Sequence, residues 1–423
     1  MDNEPSTPMS IKSQTEPRFF YGWVIVAVCF FLQGLSAGTA LSIVGVFAVV
    51  FAKEFSSPHG TVLFMTSSVM MLSAAVFVPI AGILMRRYSL KLFVVFGLFW
   101  MGTGFILLSF TQQIYQVAVI YSLLLAVGYV LLSLGTNTLI ANWFIMRRGR
   151  ALGFTAAGMS TFAFICSPLA THWIALFGWR NTCLLIALIF FSTIVVATWL
   201  IIDRPELRGL HPDGNIKDYT MHSQNKETTY QWTFKSIVTA PRFWLMTLAF
   251  SLILGVSGSI MTNLVPIAIS SGSSPAYAAW LVSMTAICGL LGKIVFGIAA
   301  DFIHQRMMIW IPCLMTGVAC LFLMGNPAYE ILIVASIFLG IATGATAPAQ
   351  GTIAGINFGR GAFSLAMGLM GPFVAIALAV AVPLVGWIHD VSGSYDFAWL
   401  VFLGLLIPAA IAGYLLPTKE GRS

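Results

Sequence analysis

Charge is scarce in this chain: charged residues fill 8% of its 423 positions and hydrophobic ones 59%, whereas a soluble domain carries about a quarter charged residues. That balance excludes any large soluble domain. Cysteine is sparse too, and Cys29, Cys166, Cys183, Cys288, Cys313 and Cys320 form no CxxC or Cys/His spacing, so they read as small apolar packing residues rather than metal ligands. No Gly-x-x-x-x-Gly-Lys-Ser/Thr string is present to cradle phosphate. No His pair or acid/base pair recurs at helical spacing inside the apolar stretches, which argues against a membrane-embedded enzyme. No cofactor or metal is expected. Acids are missing from the depths of the apolar stretches as well: Glu54, Asp301, Glu330, Asp390 and Asp396 all stand near ends or in gaps.

What is present is hydrophobic length. Twelve apolar stretches lie near 20–50, 60–85, 92–111, 115–143, 151–177, 181–202, 242–270, 277–300, 307–325, 329–357, 361–388 and 396–416. Each is long enough to cross a hydrocarbon core, which takes about 20 residues at the helical rise. The fold class expected is an all-α membrane protein of twelve transmembrane helices in two six-helix bundles. The expected divisions are a tail over 1–19, a bundle over 20–202, a central loop over 203–240, a second bundle over 241–416 and a tail over 417–423. A long central loop fits two bundles related by an axis along the membrane normal, with substrate between them.

Of the 21 Lys and Arg, 18 fall in the tails and the even-numbered gaps and only Lys53 and Arg180 in the odd ones. Short cytoplasmic segments retain positive charge, so both termini are expected in the cytoplasm, in a multi-pass protein of the inner (plasma) membrane. The net charge of +7 is then a topology signal, and a nucleic-acid partner is not expected. The remaining cation, Lys293, lies inside the eighth stretch. It stands eight residues before Asp301, roughly 12 Å into a core about 30 Å thick. An ammonium there costs about 2.5–3.5 kcal/mol even on the lenient insertion scale, and intramembrane ionisable groups are functional by default. Its rival reading is a lysine that snorkels to the surface.

Several strings carry a resemblance. They are Phe20-Tyr21-Gly22-Trp23; Asn142-Trp143-Phe144 followed by Arg147-Arg148-Gly149-Arg150; Gly178-Trp179-Arg180; Pro241-Arg242-Phe243-Trp244; Gly371-Pro372; and Gly386-Trp387-Ile388-His389-Asp390. In this order the chain resembles the major facilitator superfamily, and within it the monocarboxylate-porter and oxalate/formate-antiporter branch. The resemblance implies alternating access without an enzymatic step, with a small organic anion, protons and the bilayer as partners and action as a monomer. Proton symport, anion exchange, drug-type export and ligand sensing stay open as modes.

The resemblance also implies site residues. Lys293 aligns with the span-eight Arg that the branch uses for substrate carboxylate, and a Lys there permits the residue itself to take part in proton coupling. The amides Asn137, Gln33, Asn263 and Gln350 fall in spans four, one, seven and ten, which line the central cavity of the superfamily. Each has a rival reading as a helix-to-helix hydrogen bond. The cytoplasmic gate would use Asp301, Arg86, Arg87, Arg147 and Arg148. Here the chain departs from the family, since Arg86 replaces the usual acid after span two while Asp301 keeps it after span eight. Span eleven has no Lys or Arg, so one cation is matched to one carboxylate.

Overall fold

A computed structural model describes residues 20–214, 232–325 and 327–417. The expected tail over 1–19, all but Pro417 of the expected tail over 417–423, residues 215–231 of the central loop, and with them Lys12, Arg18, Lys217, Lys226, Lys419 and Arg422 lie outside the described residues. Among the described residues, ten helices are long and apolar enough to cross a membrane. Two of them, Arg148–Leu200 with 53 residues and Tyr329–Ser392 with 64, are far longer than the about 20 residues one crossing needs. Each breaks at a glycine with positive φ, Gly178 (φ 76°, ψ 162°) and Gly359 (φ 69°, ψ −178°), a region of backbone space open essentially to glycine alone. Split there, they give twelve segments.

The segments are α1 Gly22–Glu54, α2 Thr61–Leu84, α3 Leu90–Ser109, α4 Ile114–Trp143, α5 148–177, α6 179–200, α7 Pro241–Ser270, α8 Pro275–Ala299, α9 Gln305–Phe322, α10 329–358, α11 360–392 and α12 Asp396–Leu415. Hydrocarbon offers backbone groups no hydrogen-bond partner, so an apolar chain must satisfy them within helices. Where the helical pattern loosens, it does so as π turns, at Gly38–Ser42, Phe64–Ser68 and Tyr121–Leu125. Prolines stand inside α2, α5, α7, α9, α10, α11 and α12, where each removes one backbone bond.

Apolar side chains gather in two clusters. One joins Ile25 through Ile201 and the other Ile237 through Leu416, with Ala141 reaching into the second and Met367 packing on the first. The halves meet backbone to backbone along two seams. A side chain at Gly82 of α2 would lie 2.6 Å from the Ser364 carbonyl of α11, and one at Gly368 of α11 would lie 2.9 Å from the Val78 carbonyl. The other seam joins α5 to α8. Both seams run toward the side that carries Arg86, Arg87, Arg147 and Asp301, called the basic side below.

Candidate functional site

The candidate site lies on the α5/α8 seam. A side chain at Gly149 would stand 2.7 Å from the Gly297 carbonyl, and one at Gly153 would strike the Lys293 carbonyl and come within 2.8 Å of Gly297 Cα. Glycine on both helices removes the spacing that side chains impose. As a result Lys293 Nζ of α8 donates to Ser160 Oγ of α5 at 2.6 Å, a bond that crosses from one half to the other. Lys293 is half-buried. An ammonium has three N–H donors, and no other acceptor for it is present among the described residues.

The four nominated amides separate into two kinds. Gln33, 2% exposed, donates from Nε2 to Asn137 Oδ1 at 3.3 Å, so α1 and α4 bring two of them together. Gln33 Oε1 stays buried with no hydrogen-bond partner. Asn263 Nδ2 donates to the Ser259 carbonyl at 2.9 Å and the Val382 carbonyl at 3.4 Å, which makes it a tie from α7 to α11. Gln350 is half-buried on α10. No hydrogen bond joins any of these amides to Lys293 among the described residues.

On the basic side, Asp301 accepts from the Gly149 amide at 2.6 Å and the Arg150 amide at 3.3 Å, and its Oδ2 lies 3.1 Å from Arg150 Nε. The carboxylate of one half thus caps the first turn of α5 in the other, where unsatisfied N–H groups and the helix dipole favour an anion. Arg148 is buried and donates to the Phe144 and Ala141 carbonyls at 3.2 and 3.0 Å, closing the end of α4. Its guanidinium also lies against Gly355 of α10. Arg86, Arg87 and Arg147 point outward, and among the described residues none of the three is in an ion pair.

Burial pushes the Asp301 carboxyl up from 3.8 to about 6, against the lowering pull of the Gly149 and Arg150 amides and the guanidinium. An aspartate held higher when the halves are joined than when it is solvated takes up a proton on joining. Lowering the pH through about 6 toward 3.8 therefore favours the joined state, and above about 6 this group contributes no pH dependence. A spin-label distance across the basic side should shorten over that window in the native chain and stay flat there in Asp301→Asn.

Three further acids were not singled out from the sequence. Past α6, Asp203 accepts from the Leu90 and Lys91 amides at 3.1 and 2.8 Å and so caps α3. Its own segment is held by Trp143 Nε1, which donates to the Ile202 carbonyl at 2.8 Å, and by Asn142, which donates to the Asp203 carbonyl at 3.2 Å. Glu206 forms a two-point pair with Arg360 of α11, at 2.9 and 3.3 Å. Burial opposes the charge of Glu206, yet the hydrogen bond from Arg360 carries its carboxyl below the usual value. Asp213 adopts a left-handed conformation (φ 59°) and accepts from the Ile145, Met146 and Arg147 amides at 2.8, 2.9 and 3.1 Å. The only sequence signal for it was the turn string Pro212-Asp213-Gly214.

The chain from 203 to 214 is therefore a strap that holds the α4–α5 junction, and that junction offers its amides to Asp301. Asp213→Ala leaves three amides without their acceptor. It should lower the thermal midpoint in detergent, followed by tryptophan fluorescence, by the equivalent of about 1–3 kcal/mol. Asp213→Asn, which keeps one carbonyl oxygen, should lose less.

The twelve segments and their paired seams match a known plan. The family model of the Major Facilitator Superfamily matches residues 26–271 and 251–423. The chain belongs to the major facilitator superfamily. It is a multi-pass membrane transporter and not an enzyme. This transporter is 24% identical over 402 residues to monocarboxylate transporter 12 of Xenopus laevis, covering 92% of this chain and 87% of that one. It is 24% identical to monocarboxylate transporter 13 of Bos taurus, covering 94% and 89%. Among solved structures, the fucose:proton symporter of E. coli is similar with a TM-score of 0.69 at 14% identity, covering 94% of this transporter and 100% of that chain. A proton:xylose symporter gives a TM-score of 0.75 at 14% identity, covering 95% and 97%. These structural likenesses establish the fold of the transporter.

Proposed function

We propose that this transporter moves a small organic monocarboxylate together with a proton across the plasma membrane by alternating access, and that Lys293 holds the carboxylate. The observation that carries the reading is Lys293 itself. Among the described residues it is the one Lys or Arg deep in a span, the others within spans standing within three residues of a segment end. It lies on the seam between the halves, and only one hydroxyl answers its three donors. One cation suits one carboxylate. The names of the similar monocarboxylate transporters and proton symporters support the substrate class and the coupling.

The Gln33–Asn137 pair would complete the site, its spare Oε1 accepting from a hydroxyl of the substrate rather than from the carboxylate, and Gln350 would line it from α10. Asn263 would act by holding α7 against α11. Asp301, Arg148 and Arg147 would form the gate on the basic side, with Arg86 and Arg87 facing its solvent. The excess of cations on that side supports a cytoplasmic location for it. The test is uptake of radiolabelled formate, acetate, L-lactate and pyruvate into proteoliposomes of the purified chain. It is run with an inward proton gradient, without one, and with an unlabelled acid inside. Gradient-driven uptake supports symport. Uptake driven only by internal acid makes the protein an exchanger, and no uptake of any acid in any arm overturns the reading.

A further inference from the structure

A hydroxyl carries one donor and two acceptor sites. Inside helices, serine and threonine usually spend the donor on the carbonyl three or four residues back. Thr39, Thr136, Thr138, Thr161 and Ser257 follow the habit, donating to the carbonyls of Leu35, Leu132, Leu134, Ala157 and Ile253 at 2.7 to 3.0 Å, whereas the buried hydroxyls of Thr155, Thr247, Ser251, Ser336 and Thr352 have no hydrogen-bond partner among the described residues. Ser160 departs from the habit. Its one hydrogen bond among the described residues is the one it accepts from Lys293. An ammonium has donors only, so the Ser160 proton cannot point at Lys293, and no carbonyl takes it. The spare donors at this spot are thus the hydroxyl proton of Ser160 and two N–H groups of Lys293. Among the described residues, no carboxylate is bonded to either residue.

The position of Ser160 is held on two sides. A side chain at Gly158 would run into the Phe30 carbonyl of α1, and Gly153 abuts Lys293 and Gly297 of α8. Backbone held this way keeps Ser160 Oγ beside Lys293 with its proton free to turn toward a ligand, which lowers the ordering cost of binding. From this arrangement we infer that Ser160 is a second ligand of the substrate carboxylate, donating its O–H to the anion that Lys293 attracts. The inference rests on Lys293 being the carboxylate site and adds the residue of the first half that shares it. Lys293 comes from α8 and Ser160 from α5, so a bound carboxylate is gripped by both halves at once. The donor set carries one positive charge. A monoanion balances it, whereas a dianion would bring a second carboxylate with no cation to meet it, and the site therefore selects monocarboxylates.

The test compares wild type, Ser160→Ala, Ser160→Thr and Lys293→Ala as full chains in proteoliposomes, with labelled L-lactate and pyruvate as probes. A hydrogen bond from a neutral donor to a charged acceptor is worth about tenfold to a hundredfold in affinity. Ser160→Ala should raise the half-saturating concentration by about that factor while the maximal rate changes by less than about threefold. Ser160→Thr, which keeps the hydroxyl, should recover most of the affinity. A merely structural role would instead lower the maximal rate and the thermal midpoint and leave half-saturation in place. If the alanine chain does not elute as folded protein, Ser160→Cys, close in size but a weak donor, gives the same readout.

Unchanged half-saturation in Ser160→Ala, with uptake abolished in Lys293→Ala, would overturn this inference and leave the proposed function standing. Normal uptake in Lys293→Ala would overturn both, as would a wild-type chain that moves none of formate, acetate, L-lactate and pyruvate.

Discussion

Lys293→Ala should bring carboxylate uptake in proteoliposomes down to the background of empty liposomes, a fall of at least about a hundredfold. Removing one partner of a buried ion pair costs about 3–5 kcal/mol, because the charge left behind has no counter-ion. In the loaded state that stranded charge would be the substrate. The protein itself should remain folded, since Lys293 makes one hydrogen bond among the described residues, to a half-buried serine, and alanine suits a helix. Lys293→Arg separates binding from coupling. Guanidinium keeps the charge but is never deprotonated in a protein. The variant should still exchange labelled for unlabelled acid while losing accumulation driven by an inward proton gradient. Normal gradient-driven accumulation in Lys293→Arg would remove the lysine from the proton path and assign the proton to the substrate acid.

The second large effect concerns the α5/α8 seam. Gly153→Val should abolish transport while leaving the protein folded, because it acts on one state of the cycle rather than on the fold. A Cβ at position 153 meets the Lys293 carbonyl and Gly297 Cα, and both are backbone, which cannot move aside as a flexible side chain can. The halves would be held apart on the basic side, where the Asp301 cap on Gly149 and Arg150 would be lost with the contact. Spin labels at Arg86→Cys and Phe302→Cys, both exposed positions on that side, should report a longer separation than in the parent chain. Gly45→Ala is the control, since a Cβ there meets nothing within 4 Å, and it should transport normally. A Gly153→Val chain that transports at the native rate would mean that the seam is not closed during turnover.

Much of the architecture could be read directly from hydropathy. The count of twelve was legible because each crossing consumes about 20 apolar residues whatever the backbone does at its ends. The joints were less so. At Gly178 and Gly359 the chain turns with no loop, and nothing in the local composition separates such a turn from a short polar gap. Lys293 stood out because a lone cation in an apolar run is rare, and Asp301 because it closes a recognisable string. Ser160 could not be found this way, since serines are common in membrane helices and its significance arises only when α8 lies beside it. Gln33 and Asn137 were each visible as amides, but their meeting is a tertiary fact. Asp213 was hidden for another reason: it acts through three backbone amides, and a backbone amide has no signature in a sequence.

The turn at Gly178 has a mechanical consequence. Helices joined by a flexible loop can slide along one another, but α5 and α6 share a joint of a single residue, so the angle between them opens and closes like a compass. The far end of α6 is tied down, since its Leu200 carbonyl accepts from the Tyr21 hydroxyl at 2.9 Å and the neighbouring Ile202 carbonyl accepts from Trp143. With one leg pinned, the other leg, which carries Ser160 and Gly153, can swing but cannot shift along its axis. Even one residue inserted at this joint would give the leg slack and let it slip in register.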